Sequence, residues 1–84
     1  MMIGNMEAAD VTKRFVQAYY NLYQQRIVSS KKQFCDACDL LTTNFNLMSQ
    51  GKRNVTTNHL CHLFQNFGVS PEWMFTGNGN FMLK

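Results

Sequence analysis

Residues 31–77 read KKQFCDACDLLTTNFNLMSQGKRNVTTNHLCHLFQNFGVSPEWMFTG, and the placement of apolar residues along this stretch decides the fold. Phe34, Cys35 and Cys38 share one face by their i, i+1, i+4 spacing. This predicts a short helix over about 31–38, capped by Ser30. Asp39 stands where the chain must turn, and Asp tolerates the left-handed conformation better than most residues after Gly and Asn. Leu40 plugs that turn into the core. A second short helix is expected from near Thr42 to about Gln50. Phe45 and Met48, three apart, face inward, which leaves Thr42, Thr43, Asn44, Asn46 and Leu47 outside. Gly51 is placed to end this helix, and Lys52-Arg53-Asn54 follow as a basic loop. Thr56 caps the next helix, where Leu60, Leu63, Phe64 and Phe67 form an i, i+3, i+4, i+7 stripe ended by Gly68. Ser70 caps a last short helix with Pro71 in its first position, where a missing N–H costs nothing, and Gly77 stops it.

Working outward, Val11, Phe15, Ala18, Tyr19 and Leu22 recur at helical spacing. They predict a first helix from an Asp10 cap to about Gln25, with Arg14, Gln17, Gln24 and Gln25 on its outer face. Residues 1–9 show little periodicity and are expected to fray. After the Asn78-Gly79 turn pair, Phe81-Met82-Leu83 form a short apolar tail. That tail either folds back over Trp73 or frays, or, together with the last short helix, meets a second copy of the chain. The expectation is an all-α five-helix bundle over 10–77, between a flexible segment 1–9 and a C-terminal tail 78–84.

Composition bounds the function. Eighty-four residues make one small domain. With 45% hydrophobic and 13% aromatic residues against 15% charged, the chain can build a core and is not of the disordered class. The net charge of +3 is mild, but its distribution is uneven. From Arg26 to Arg53 there are five basic residues and two acids, and beyond Asp39 the only carboxylate side chain is Glu72. One positive face, suited to phosphate, follows from that asymmetry. Met1–Asp10 has no apolar core of a secretory signal, no run approaches the length of a spanning helix, and three cysteines are an odd, sparse set. Reduced thiols and a cytoplasmic location are the expectation.

The order of elements resembles the helix-turn-helix domain of the bacteriophage lambda repressor/Cro superfamily, the xenobiotic-response-element (XRE) type of bacterial regulator. The resemblance covers roughly Phe15 to Gly77. It is carried by the small Cys35 after the helix 2 aromatic, the turn at Asp39, inward Phe45 and Met48, Gly51-Lys52-Arg53-Asn54, and the string Gly68-Val-Ser-Pro-Glu-Trp-Met-Phe-Thr-Gly77. Asp39 replaces the family's glycine, and Leu41 stands where the family has a Ser or Thr cap, which moves the expected cap to Thr42. The resemblance implies a repressor-like transcription regulator that binds double-stranded DNA, with helix 3 in the major groove and two copies reading two half-sites. Thr42, Thr43, Asn44, Asn46 and Leu47 would then meet base edges: Asn can bond adenine, and Thr and Leu can touch a thymine methyl. Lys31 and Lys32 on one side, and Lys52, Arg53 and Asn54 on the other, would contact phosphates. The alternative is a protein-interaction module on the same fold that has lost DNA binding.

Other chemistries are poorly served. Cys35, Cys38, His59, Cys61 and His62 are metal-ligand types, but Cys61 and His62 are adjacent and diverge, and Cys35 and Cys38 fall on a buried face where thiols act as small hydrophobes. No metal or cofactor is expected. No phosphate-binding Gly-rich loop, nucleophile elbow or paired-carboxylate pattern is present, so no enzyme is expected. The aromatics read as core, since a stacking platform for single strands needs a sheet or barrel.

Overall fold

A computed structural model describes residues 7–83. Those residues form an all-α unit of five helices: α1 (Ala8–Gln24), α2 (Lys31–Ala37), α3 (Thr42–Ser49), α4 (Thr57–Phe67) and α5 (Pro71–Thr76). The fraying expected of residues 1–9 falls mostly on residues outside the described range. Glu7, rather than Asp10, is the N-cap of α1, and Asp10 lies in the first turn, where a carboxylate suits the positive end of the helix dipole. Among the described residues no helix is long and apolar enough to cross a membrane.

Local chemistry sets the helix boundaries. Ser30, Thr56 and Ser70 each accept a hydrogen bond from the backbone N–H three residues on, capping α2, α4 and α5. The first three helices close alike. The residue after the C-cap is left-handed at Arg26 (φ 62), Asp39 (φ 57) and Gly51 (φ 77), and the next N–H reaches back to the carbonyl of Leu22, Cys35 or Leu47 at 2.8–2.9 Å. Only Gly51 takes this conformation without a Cβ penalty. Asp39 is held there by a second bond, accepting from Asn58 Nδ2 at 3.1 Å.

The core is aromatic at its centre. Phe15 and Tyr19 from α1, Phe34 from α2 and Phe45 from α3 meet with ring centroids 5.3–6.4 Å apart, and Phe67 of α4 stacks on Phe34 at 6.0 Å. Helix α1 packs against α3 and α5, while α2 packs against α3 and α4. Cys35 and Cys38 are fully buried here. Burial pushes the Cys38 thiol up to about 12, and Cys35 upward as well, with Lys31 opposing. Both are therefore neutral core groups near pH 7. Polar ties complete the frame: Asn66 Nδ2 donates to the Ala37 carbonyl at 2.7 Å. Thr12 Oγ1 donates to Ala8 O at 2.7 Å and accepts from Val55 N–H at 2.9 Å, anchoring the loop before α4 to α1.

The C-terminal tail folds back. Ser70 N–H donates to Phe81 O at 2.7 Å and Leu83 N–H to Gly68 O at 2.9 Å, around an isolated antiparallel bridge between Val69 and Met82. Phe81 meets Trp73 edge to face at 4.7 Å. Of the three apolar tail residues only Leu83 stays exposed.

The cap of α4 carries a pH dependence. Thr56 N–H points to His59 Nδ1 at 3.4 Å, reciprocating the Thr56 cap. Burial, then the charges of His62 and Arg53, hold His59 below its ordinary value of 6.5, with Asp39 opposing. The unfolded chain therefore binds this proton more readily. The stabilisation is complete above about pH 6.5 and is lost as pH falls through the lower folded value. Melting temperature should fall more steeply below about pH 6.5 for the native chain than for His59→Gln, which keeps a capping side chain without the titration. Parallel pH profiles would disprove this role.

Candidate nucleic-acid interface

Helix α3 is eight residues long and presents two unlike faces. Phe45 (0% exposed) and Met48 (3%) point into the core. Thr43 and Asn46 are exposed, and Thr42, Asn44 and Leu47 are half-buried. By helical geometry Thr43, Asn46, Leu47 and Gln50 lie in one outward stripe, with Thr42 beside Asn46. Asn44 falls on the flank toward Met48 and is the least exposed to a partner approaching this stripe. Gln50 is exposed and continues the stripe, although sequence reading placed it only at the end of the helix.

The expected shift of the α3 cap to Thr42 does not occur. Leu41 is the N-cap, extended at φ −76, ψ 141, and makes no side-chain cap bond, so Thr42 is the first helical residue. The physical reason is the closure of the α2 turn. The Leu40 N–H bond to Cys35 and burial of the Leu40 side chain fix where the turn ends, and α3 starts from there whatever residue follows.

The basic side chains border this surface but are not equally placed. Lys31 Nζ donates to Asn46 Oδ1 at 2.9 Å and stands 5.6 Å from the centroid of the Phe45 ring. That bond assigns the amide orientation of Asn46, since only its oxygen can accept, and directs its N–H₂ to other acceptors. Lys32 pairs with Asp36 at 3.1 Å, both ends well exposed. Such an i, i+4 pair is worth roughly 0.3–0.5 kcal/mol, so a phosphate can displace it. Lys52, Arg53 and Asn54 are exposed in the loop after α3, with Asn54 Oδ1 beside Thr12 Oγ1 at 3.3 Å. An open hollow of about 260 Å³ lies between this loop and α1, lined by Lys13 and Arg53 among others. Lys13 comes from α1, and its place on the same hollow as Arg53 has no counterpart in local sequence pattern.

Acidic groups near the surface are engaged: Asp36 by Lys32 and Asp39 by Asn58. A larger hollow of about 490 Å³, lined by Tyr23, Gln24, Arg26, Val28 and Ser29, is shallow, belongs to the α1–α2 junction and touches none of these residues. Among the described residues no three His, Cys, Asp or Glu side chains are grouped to hold a metal ion, and Cys61 is an exposed free thiol. The arrangement is an outward polar helix face between two basic clusters, chemistry suited to a polyanion with readable edges. No family model, no curated protein and no solved structure matches the chain.

Proposed function

We propose that this chain is a double-stranded DNA-binding protein of the lambda-repressor-like helix-turn-helix type and acts as a small transcription regulator in a cytoplasm. One observation carries the reading. Helix α3 is held by inward Phe45 and Met48 across a four-residue turn from α2, leaving Thr42, Thr43, Asn46 and Leu47 outward between Lys31/Lys32 and Lys52/Arg53. An α-helix so presented fits the major groove, with the flanking cations on the phosphate backbones. Asn44 is the weakest member of the base-reading set, and Lys31 acts first on Asn46 and then on phosphate. One helix reads few base pairs, so the protein binds two half-sites about 34 Å apart as a symmetric pair. Helix α5 and the exposed Leu83 are the contact offered for pairing.

Selection from random duplex DNA at low salt tests the reading, with the salt dependence of the selected complex as the second measurement. Replacing Lys52 and Arg53 together by Ala should weaken binding to all sequences alike and flatten the slope of log K against log salt by roughly two units. Unchanged affinity and slope would remove this loop from the interface. A second reading, a protein-interaction module, draws on the exposed Tyr20, Tyr23 and Ile27 at the end of α1. An apolar contact of that kind is insensitive to salt, which separates the two.

A further inference from the structure

Leu41 breaks two rules of its surroundings at once. It caps α3 without a side-chain hydrogen bond, as Glu7 does α1, but Glu7 carries a polar side chain and Leu41 none that could cap, while Ser30, Thr56 and Ser70 cap α2, α4 and α5 with hydroxyl oxygens. Leucine is among the poorest N-cap residues. At 68% it is also the most exposed of the large hydrophobic side chains among the described residues. Stability is lost twice here, through an absent cap and through apolar surface left in water. Positions that break local rules with no structural return are where function is expected. Leu41 stands at the N-terminal end of the outward surface that Thr42, Thr43 and Asn46 continue, the end of a recognition helix that meets base edges first.

Resting on the DNA-binding reading above, we propose that Leu41 is a specificity-determining residue that packs against the C5-methyl group of a thymine in the major groove. The methyl is the only apolar group that the four bases display on that edge; the rest are hydrogen-bond donors and acceptors. A leucine with no polar atom in its side chain has one partner there. Its surroundings favour this occupant over a protein. A protein contact draws on a contiguous apolar patch, but Leu40 is buried beneath it and the exposed chain neighbours Asp39 and Thr43 are polar. Leu41 shares an open hollow of about 260 Å³ with Asp36 and Asp39, and both carboxylates are engaged, Asp39 by Asn58 and Asp36 by Lys32. A phosphate at this end would have to take Lys32 from its exposed pair.

The test begins from the duplex that selection yields. Each thymine in turn is replaced by uracil, which removes the methyl and keeps the hydrogen-bonding edge. One such replacement should weaken the native protein roughly fourfold, the effect of burying one methyl-sized group. Leu41→Ala should bind the thymine duplex weakly to a similar degree and be indifferent to that same uracil, so that the two changes are not additive. Leu41→Ser should melt roughly 4–8 °C higher through its restored cap and still bind more weakly, which separates contact from folding. Equal uracil sensitivity in the native protein and Leu41→Ala at every thymine would overturn the proposal while leaving DNA binding intact. Failure of any duplex to bind would overturn the DNA-binding reading itself, and this inference with it. Altered self-association of Leu41→Ala in sedimentation, with uracil sensitivity retained, would also overturn it and assign the leucine to a protein contact.

Discussion

Phe45→Ala should lose about 3–5 kcal/mol of folding stability, out of a total on the order of 4–12 kcal/mol for a domain of this size. The ring is fully buried and meets three others: Tyr19 at 5.4 Å, Phe34 at 5.8 Å and Phe15 at 6.4 Å, the first two edge to face. Alanine removes both the transfer energy of the ring and those edge contacts, and leaves a cavity that three rings from two other helices cannot readily close. Phe45→Leu keeps most of the volume and should lose well under half as much. Both variants also withdraw the ring beneath Lys31, a contact worth roughly 0.5–1 kcal/mol at an exposed site. Chemical denaturation of the two variants and the native chain checks the ranking. A Phe45→Ala protein that unfolds at the native midpoint would mean that α3 does not sit in this register, and the outward face assigned to DNA would fall with it.

That dependence shows why the candidate site was partly readable from sequence. Phe45 and Met48 are three apart, and once they are inward the outward set follows from helical geometry alone. The helix ends were legible for an equally local reason. Ser30, Thr56, Ser70, Gly51, Gly68 and Gly77 each solve a backbone problem that few other residues solve as well. Local rules failed where two neighbours could both satisfy them. Asp10 suits either an N-cap or a first turn, and the structure uses it in the turn. Thr42 suits a cap better than Leu41 does, but the α2 turn fixes the start of α3 one residue earlier. Pairings between elements were not legible at all. Lys31 with Asn46 and Asn58 with Asp39 depend on how helices pack, which periodicity along one helix does not encode. The tail's sequence leaves open folding back, fraying and pairing with a second copy; its return over Trp73 depends on a bridge to Val69, thirteen residues before Met82.

Arg14 is the sharpest case of such a pairing, and its replacement carries the other large expected effect. Its place in the α1 repeat and its charge both assign it to the outer face. Instead it is half-buried and reaches across to α5, where Nε donates to the Met74 carbonyl at 2.6 Å and Nη2 to the Phe75 carbonyl at 3.0 Å. These carbonyls belong to the last turn of α5, the negative end of its dipole, where a cation is favourable. A six-residue helix has little stability of its own, so α5 is held by Met74 in the core and by this guanidinium clamp. Arg14→Met keeps the stem and removes both charge-assisted bonds. It should lose about 2–3 kcal/mol, since such bonds contribute roughly 1.5–3 kcal/mol each before discounting for partial exposure. Arg14→Lys keeps the charge but not the planar fork and should fall between the two. Hydrogen exchange locates the damage. In Arg14→Met the amides of Met74 and Gly77, which close the turns of α5 on Ser70 and Trp73, should exchange faster than those of α4. The folded-back tail, bonded to Gly68 and Ser70, should loosen with them. Uniform acceleration across all five helices would instead mean that α5 unfolds only with the whole domain, and that Arg14 supports the fold globally rather than clamping one helix.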